Sequence, residues 1–265
     1  MEGKLIIGAV AGDMAGYNHS CEKPESSGSP LLSKKSDYTC DSVLTVAVMD
    51  SLLNGREYTS TLQFYGRSYP GRGYGTAFSR WLSRDYPKPY SSWNNGAAVR
   101  VSPIGYACRT LNEVLDEARS CAEVSHNHPD GIKGAQAAAA AVFLAKNGRN
   151  KTEIRDYIES TFGYNLSKSI EEIRPGYFYD QSSEGSVPEA IIAFLDSEDF
   201  ESAIRLALSL SCKSGSIASI TGGIAQAYYK ELPDQLAREV VSLISPEMYE
   251  TIYEFSNAYP LSLFH

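Results

Sequence analysis

The chain has 265 residues, of which 32 are acidic and 24 are lysine or arginine, and its formal net charge is −8. This acidity argues against a nucleic-acid partner, because phosphate backbones are bound through Lys and Arg. One hydrophobic core suffices at this length, and no linker or charge run divides the chain. We therefore expect a single domain over residues 1–265.

No segment predicts a membrane span or a targeting signal. The apolar run 5–11 is too short to cross a bilayer, and it lacks both a basic flank and a cleavage site. The five cysteines show neither a disulfide framework nor a C-x-x-C spacing. We expect a cytoplasmic protein with reduced thiols and no membrane partner.

The first predicted elements are a loop and a long helix. Residues 22–35 combine proline, glycine and serine, a composition typical of a surface loop. Residues 40–53 carry apolar side chains at helical spacing, with a wide face to bury. This pattern predicts an α-helix that lies largely in the core.

Two further helices are predicted near the middle of the chain. Residues 134–146 are rich in alanine and end at Asn147-Gly148, a typical C-terminal stop. Asn150 and Glu153 follow at the spacing of a capping box, in which each side chain bonds the backbone of the other residue. This spacing predicts that a new helix begins there.

The remaining segments favour an all-α fold. A last helix is predicted over 246–255, with Pro246 in its first turn. Residues 99–104 and 177–179 are weak strand candidates or extended loops, and no longer segment has strand periodicity.

Five motifs of small and polar residues follow one another along the chain. They lie at Leu5–Gly16, Ser36–Ser42, Ser92–Gly105, Ser125–Pro129 and Ser214–Ala225. In this order and spacing they resemble the ADP-ribosylglycohydrolase family over nearly the whole chain. The resemblance implies an orthogonal helical fold, in agreement with the helical pattern.

The resemblance also implies a site for two magnesium-type ions, from which this chain departs. The family's metal-ligand positions fall on Ser20, Thr39, Cys40, Asp41, Lys213, Gly215 and Ser216. Of the five carboxylates that the resemblance implies, only Asp41 remains. One carboxylate does not hold two such ions, because Mg²⁺ takes hard oxygen ligands that offset its charge.

Lys213 adds a positive charge where the family has an acid. An ammonium about 4 Å from a divalent ion is repelled by roughly 8 kcal/mol at an effective dielectric near 20. We therefore expect no bound metal, no cofactor and no catalytic residue. The alternative is a shifted register in which Glu22, Glu25 or Asp37 supplies ligands.

Two arrangements are expected in the vacated cleft. We expect Lys213 to form a direct or water-bridged ion pair with Asp41. Hydroxyls of Ser214, Ser216 and Thr39 would join this network, with the Cys40 thiol directed toward it.

The resemblance also places Cys21, Cys40 and Cys212 beside the former metal positions. These thiols either bind a soft metal or form a disulfide, or they fill space as small apolar groups.

Two other motifs bear on ligand binding. Asn95, Gly96 and Ala97 resemble the family's glycine loop, where small residues let backbone donors approach a phosphate or ribose. This loop is intact, so weak affinity for an ADP-ribose-like ligand is expected to survive. For His126 and His128, the resemblance implies a structural role at a helix entry.

Three functions follow from these observations. The first is a structural protein built on a recruited enzyme fold. The loss of the implied active-site carboxylates makes the chain resemble the jellyfish lens crystallins, a branch of the family. The second is a regulatory pseudoenzyme that binds an ADP-ribose-like ligand. The third is an active hydrolase with an altered site. The non-catalytic structural role is the one we expect from the sequence.

Overall fold

The protein is an assembly of α-helices, seen here in a computed structural model that describes residues 4–18 and 30–261. No β-strand occurs within these ranges, and the all-α prediction is confirmed. The helices are α1 Gly8–Asn18, α2 Cys40–Asn54, α3 Tyr58–Ser68, α4 Thr76–Leu82, α5 Ser102–Ala107, α6 Leu111–Glu123, α7 Pro129–Lys146, α8 Lys151–Phe162, α9 Ile170–Ile173, α10 Val187–Asp196, α11 Phe200–Leu208, α12 Gly215–Tyr229, α13 Asp234–Leu243 and α14 Pro246–Ala258.

The local signals in the sequence place several helix ends correctly. α2 begins at Cys40, with the Thr39 side chain as its N-cap. The capping box of Asn150 and Glu153 opens α8, and Gly148 after α7 has a positive φ of 77°. α7 begins earlier than predicted, at Pro129, because His128 accepts a hydrogen bond from the Asp130 amide as N-cap.

The extended interpretation of residues 99–104 is wrong. A 3-10 turn, Ala98–Arg100, is followed there by α5, which has a proline in its first turn. Proline is compatible with a first helical turn because its missing N–H needs no partner there. The loop predicted at 22–35 is described only from residue 30, and residues 30–35 are irregular.

Helix α12 lies at the centre of the fold. It packs against α1, α7, α10 and α11, and its residues 217–227 are all buried. Small side chains dominate this segment, which lets neighbouring helices approach closely. None of the described helices is long and apolar enough to cross a membrane.

Helices α1 and α12 pack with their backbones almost in direct contact. A methyl group on Gly8, Gly12 or Gly16 would overlap the backbone of α12. The buried Gln226 of α12 also caps α1, because its Oε1 accepts hydrogen bonds from the amides of Ile7, at 3.0 Å, and Gly8, at 2.6 Å. The two helices are therefore fixed in register as well as in distance.

We predict that Gly12→Ala destabilises the protein by at least about 3 kcal/mol, the upper end of overpacking effects. The added methyl group would meet the Ala218 carbonyl, which is backbone and does not rotate away. Urea unfolding measures the change in the free energy of unfolding. Gly176→Ala is the matched control, because a methyl group there meets open space. Equal effects of the two substitutions would contradict the close contact.

Candidate functional site

A cavity of about 400 Å³ opens at the start of α2. Its walls come from the start of α2, the loop that leads into α4, the segment 90–96 and the start of α12. Small-molecule sites typically have volumes of about 300–1,000 Å³. The cavity is therefore large enough for a small ligand, and it includes several of the positions singled out in the sequence.

Asp13 of α1 holds the start of α2 in place. Its buried carboxylate accepts hydrogen bonds from the backbone amides of Thr39, at 2.8 Å, and Ser42, at 3.2 Å. It also accepts from the Thr39 hydroxyl, at 2.6 Å, and the Ser42 hydroxyl, at 2.5 Å. Burial raises the pKa of Asp13, against these hydrogen bonds. Apart from its place in a glycine-rich motif, nothing in the sequence singles out this residue.

Asp41 is the second carboxylate of the site. Its Oδ2 accepts a hydrogen bond of 2.7 Å from the Ser216 hydroxyl, and its Oδ1 lies 3.5 Å from the Cys40 sulfur. Burial, and then the charge of Asp13, raise the pKa of Asp41 to about 7. Burial and the two carboxylates raise the pKa of the Cys40 thiol, which stays protonated. The predicted roles of Ser216 and Cys40 in this network are confirmed.

Lys213 and Asp41 were expected to form a direct or water-bridged ion pair; the direct form is wrong, and the water-bridged form stays a prediction. Both residues lie in the described part of the chain, and their charged atoms form no direct ion pair. Lys213 is exposed, and its Nζ lies 5.6 Å from the ring centroid of Tyr179. Asp41 is instead satisfied by neutral donors, so its carboxylate does not need the ammonium.

Ser214, which was expected in this network, and Cys212, which was expected beside Cys40 in the cleft, both lie elsewhere. The Ser214 hydroxyl donates to the Ser211 carbonyl, at 2.9 Å, and accepts from the Ser211 amide, so it caps a local turn. Cys212 is exposed and is not part of the cavity wall, so it does not share the cleft with Cys40. Ser20 and Cys21 lie outside the described residues.

The residues present do not fit two magnesium ions. Cys40 offers a protonated thiol, Gly215 offers no side chain, and Asp41 is the only carboxylate left at the positions that are described. No three His, Cys, Asp or Glu side chains of residues 4–17 and 30–261 come together as a possible metal site. Asp37, the described acid of the shifted-register alternative, pairs instead with Arg72 at 2.5 Å.

The predicted ligand loop forms part of the cavity only in its first two residues. Asn95 and Gly96 line the cavity, whereas Ala97 is fully buried and does not line it. The backbone amide of Asn95 donates to the backbone carbonyl of Gln181 at 2.9 Å, so this amide is not free to bind a ligand. A Cβ on Gly96 would lie 2.8 Å from Nε2 of His126, so glycine keeps this wall open.

A buried arginine and a buried histidine form the adjoining wall. Arg100 is fully buried, and its Nη2 donates to the Cys121 carbonyl, at 2.7 Å, and to the Ser125 hydroxyl, at 3.0 Å. Its Nε and Nη1 have no hydrogen-bond partner in the described part of the chain. His126 is 4% exposed, and burial followed by the charge of Arg100 lowers its pKa well below the usual range. His128, by contrast, has the structural role that the resemblance implies, as N-cap of α7.

The glycine-rich loop before α4 also contributes to the cavity. Gly73, Tyr74 and Gly75 line it, and Gly73 has a positive φ of 83° that favours glycine. No strand precedes this loop in the described chain, so the sequence does not match a nucleotide-binding fingerprint. Only the tertiary structure brings it to the same cavity as Asn95 and Gly96.

Comparison with known proteins places these features in a family. The ADP-ribosylglycohydrolase family model matches residues 4–261. The chain is 25% identical to the ADP-ribosylhydrolase ARH3 of Gallus gallus, over 87% of this chain and 80% of that protein. It is 27% identical to the ARH3 of Homo sapiens, over 72% of this chain and 70% of that protein.

A bacterial relative and a solved structure are also similar. The ADP-ribosylarginine hydrolase Tri1 of Pseudomonas putida is 30% identical over 52% of this chain and 39% of its own length. A solved ADP-ribosylglycohydrolase-related protein complex superposes with a TM-score of 0.69 at 20% identity, covering 96% of this chain and 97% of the other. This structural likeness confirms the fold.

We predict that the free energy of unfolding falls as the pH rises from about 4 to about 7 because of Asp41. Its folded pKa is about 7 and its ordinary value is 3.8, so the folded state binds more protons in this window. The stability linked to protonated Asp41 is complete below the ordinary pKa and is lost as the pH rises through the folded one. In Asp41→Asn, chemical denaturation across this range should show a smaller fall than in the parent. Parallel profiles would contradict the raised pKa.

Proposed function

This chain belongs to the ADP-ribosylglycohydrolase family, and we propose that it binds a ligand of the ADP-ribose class without hydrolysing it. The proposal rests on one observation: the cavity is present, whereas the side chains at the positions of the implied metal ligands do not fit metal ions. Cys40, Gly215 and Lys213 replace three of the carboxylates that the family resemblance implies. The relatives with hydrolase names share the family frame, and this chain departs from the implied site at these positions.

The absence of hydrolysis is supported by the chemistry of the remaining groups. Near neutral pH, Asp41 is partly protonated and is occupied by Ser216 and Cys40. Asp13 is committed to four hydrogen bonds that hold the start of α2. Neither carboxylate is therefore free to act as the base that would activate a water molecule.

Binding is supported by the walls of the cavity. Gly96 leaves space beside His126, and Gly73 and Gly75 leave space in the loop before α4, which also lines the cavity. Tyr74 and Tyr179 add aromatic surface, which suits a ligand with a planar ring. In a protein with a purely structural role, side chains that fill this cavity would increase stability.

A structural role is the second candidate. The resemblance to the jellyfish lens crystallins favours it, and a net charge of −8 with 11% aromatic residues suits a protein held at high concentration. This role needs the fold but no ligand. The structural role would therefore be favoured if the protein binds no ADP-ribose and if Gly96→Ala changes nothing except stability.

We predict that the purified protein binds ADP-ribose but releases none from ADP-ribosylated arginine or serine, with or without Mg²⁺. Isothermal titration calorimetry measures binding, and chromatography of the reaction mixture measures release. Gly96→Val should abolish binding, because the added side chain fills the cavity beside His126. Gly176→Ala is the control, since it lies in open space. Turnover that depends on Mg²⁺ would overturn the proposal.

We predict that restoring the four lost carboxylates creates a metal-dependent protein. Ser20→Glu, Cys40→Asp, Lys213→Asp and Gly215→Asp together should lower stability without metal through charge repulsion. Mg²⁺ should then recover about 2.7 kcal/mol at a concentration of about 100 times its Kd. A Cβ at Gly215 would lie 3.8 Å from the Cα of Gly16, an ordinary contact, so a β-carbon is tolerated there.

The matched control introduces neutral amides at the same four positions, as Ser20→Gln, Cys40→Asn, Lys213→Asn and Gly215→Asn. It changes side-chain size in the same way and adds no negative charge, so its thermal midpoint should not respond to Mg²⁺. If the carboxylate variant is equally indifferent to Mg²⁺, these four positions are not the former metal site.

A further inference from the structure

The buried residues Arg100, Ser125 and His126 form a chain of hydrogen bonds at one wall of the cavity. Arg100 Nη2 donates to the Ser125 hydroxyl oxygen at 3.0 Å, and this oxygen lies 2.8 Å from Nδ1 of His126. A guanidinium only donates, so the direction of the first hydrogen bond is fixed. The second depends on which nitrogen of His126 carries the proton.

We infer that Arg100 and Ser125 fix His126 in the tautomer protonated on Nε2, so that this wall offers a hydrogen-bond donor to an acceptor oxygen of the ligand. Ser125 is fully buried, and its hydroxyl has one proton to donate. Nδ1 of His126 is the acceptor in reach. If Nδ1 were protonated instead, the serine proton would be buried without a partner.

The difference in free energy between the two tautomers favours the one protonated on Nε2. A buried donor without a partner costs about 1–3 kcal/mol, which corresponds to a ratio of roughly 5 to 150 between the tautomers. His126 also stays neutral, because it is buried beside the charge of Arg100. Arg100 and Ser125 are thus positioning residues, and His126 is the group that faces the ligand.

The Nε2 atom is placed to use this proton. It lies against Gly96, where an added Cβ would be 2.8 Å away, and both residues line the cavity. Nε2 has no hydrogen-bond partner of its own among the described residues. The unpaired Nε and Nη1 of Arg100 lie behind the same wall. This wall therefore presents the Nε2 proton of His126, which suits a phosphate, hydroxyl or carbonyl oxygen.

Nitrogen-15 NMR of the ligand-free protein tests the tautomer directly. The His126 signals are identified by their loss in His126→Gln. We expect the shift of a protonated nitrogen at Nε2 and of an unprotonated nitrogen at Nδ1. In Ser125→Ala, a measurable fraction of the Nδ1-protonated form should appear. Ser219→Ala removes a buried hydroxyl that has no partner among the described residues, and it should leave the spectrum of His126 unchanged.

Arg100→Met and Arg72→Met form a second matched pair, because both arginines line the cavity and only Arg100 contacts Ser125. Arg100→Met should release the tautomer and let His126 titrate at higher pH, while Arg72→Met should do neither. Protonation at Nδ1 in the parent, or equal effects of the two arginine substitutions, would overturn the inference.

The consequence for binding rests on the proposed function and is measured separately. Ser125→Ala should weaken ADP-ribose binding about tenfold, the equivalent of one hydrogen bond, and Ser219→Ala should not. If the parent binds no ADP-ribose, the proposed function fails while the NMR result still decides the tautomer. If the parent binds and Ser125→Ala binds equally well, the role of the tautomer in binding is wrong.

Discussion

The site depends on the close contact between α1 and α12. At Gly8, Gly12 and Gly16 the two helices lie too close together for any side chain, and α12 begins directly against the end of α1. This contact brings Ser216 within hydrogen-bond distance of Asp41 at the start of α2. The frame is made of backbone and glycine, so it survives when the side chains at the metal-ligand positions are replaced.

Neutral donors satisfy both carboxylates at the start of α2. Ser216 and Cys40 satisfy Asp41, and the Thr39 and Ser42 hydroxyls and amides satisfy Asp13. Buried Asp13 and half-buried Asp41 repel each other, and the raised pKa of Asp41 relieves this repulsion through partial protonation. The ammonium of Lys213 is not needed and lies at the surface.

The wall formed by Gly96 and His126 carries hydrogen-bond donors instead of carboxylates. In the inferred tautomer, His126 presents its Nε2 proton beside Gly96 and is positioned by Arg100 and Ser125, within a chain whose net charge is −8. A local group of buried donors in an acidic protein favours an oxygen-rich ligand by short-range hydrogen bonds and gives no long-range attraction. This combination is typical of recognition inside a cavity and agrees with binding that does not depend on a metal.

The sequence by itself determined the helical fold, the start of α2 and the capping box of α8, and it shows Cys40, Lys213 and Gly215 where the family resemblance implies carboxylates. These features are local, because helical spacing, capping residues and side-chain chemistry are read from neighbouring positions. The tertiary structure alone decided that Lys213 turns outward, that Asp13 holds α2 and that Arg100 lies behind His126. Each of these depends on contacts between residues far apart in the chain, and the direction of a side chain follows from the partners that surround it.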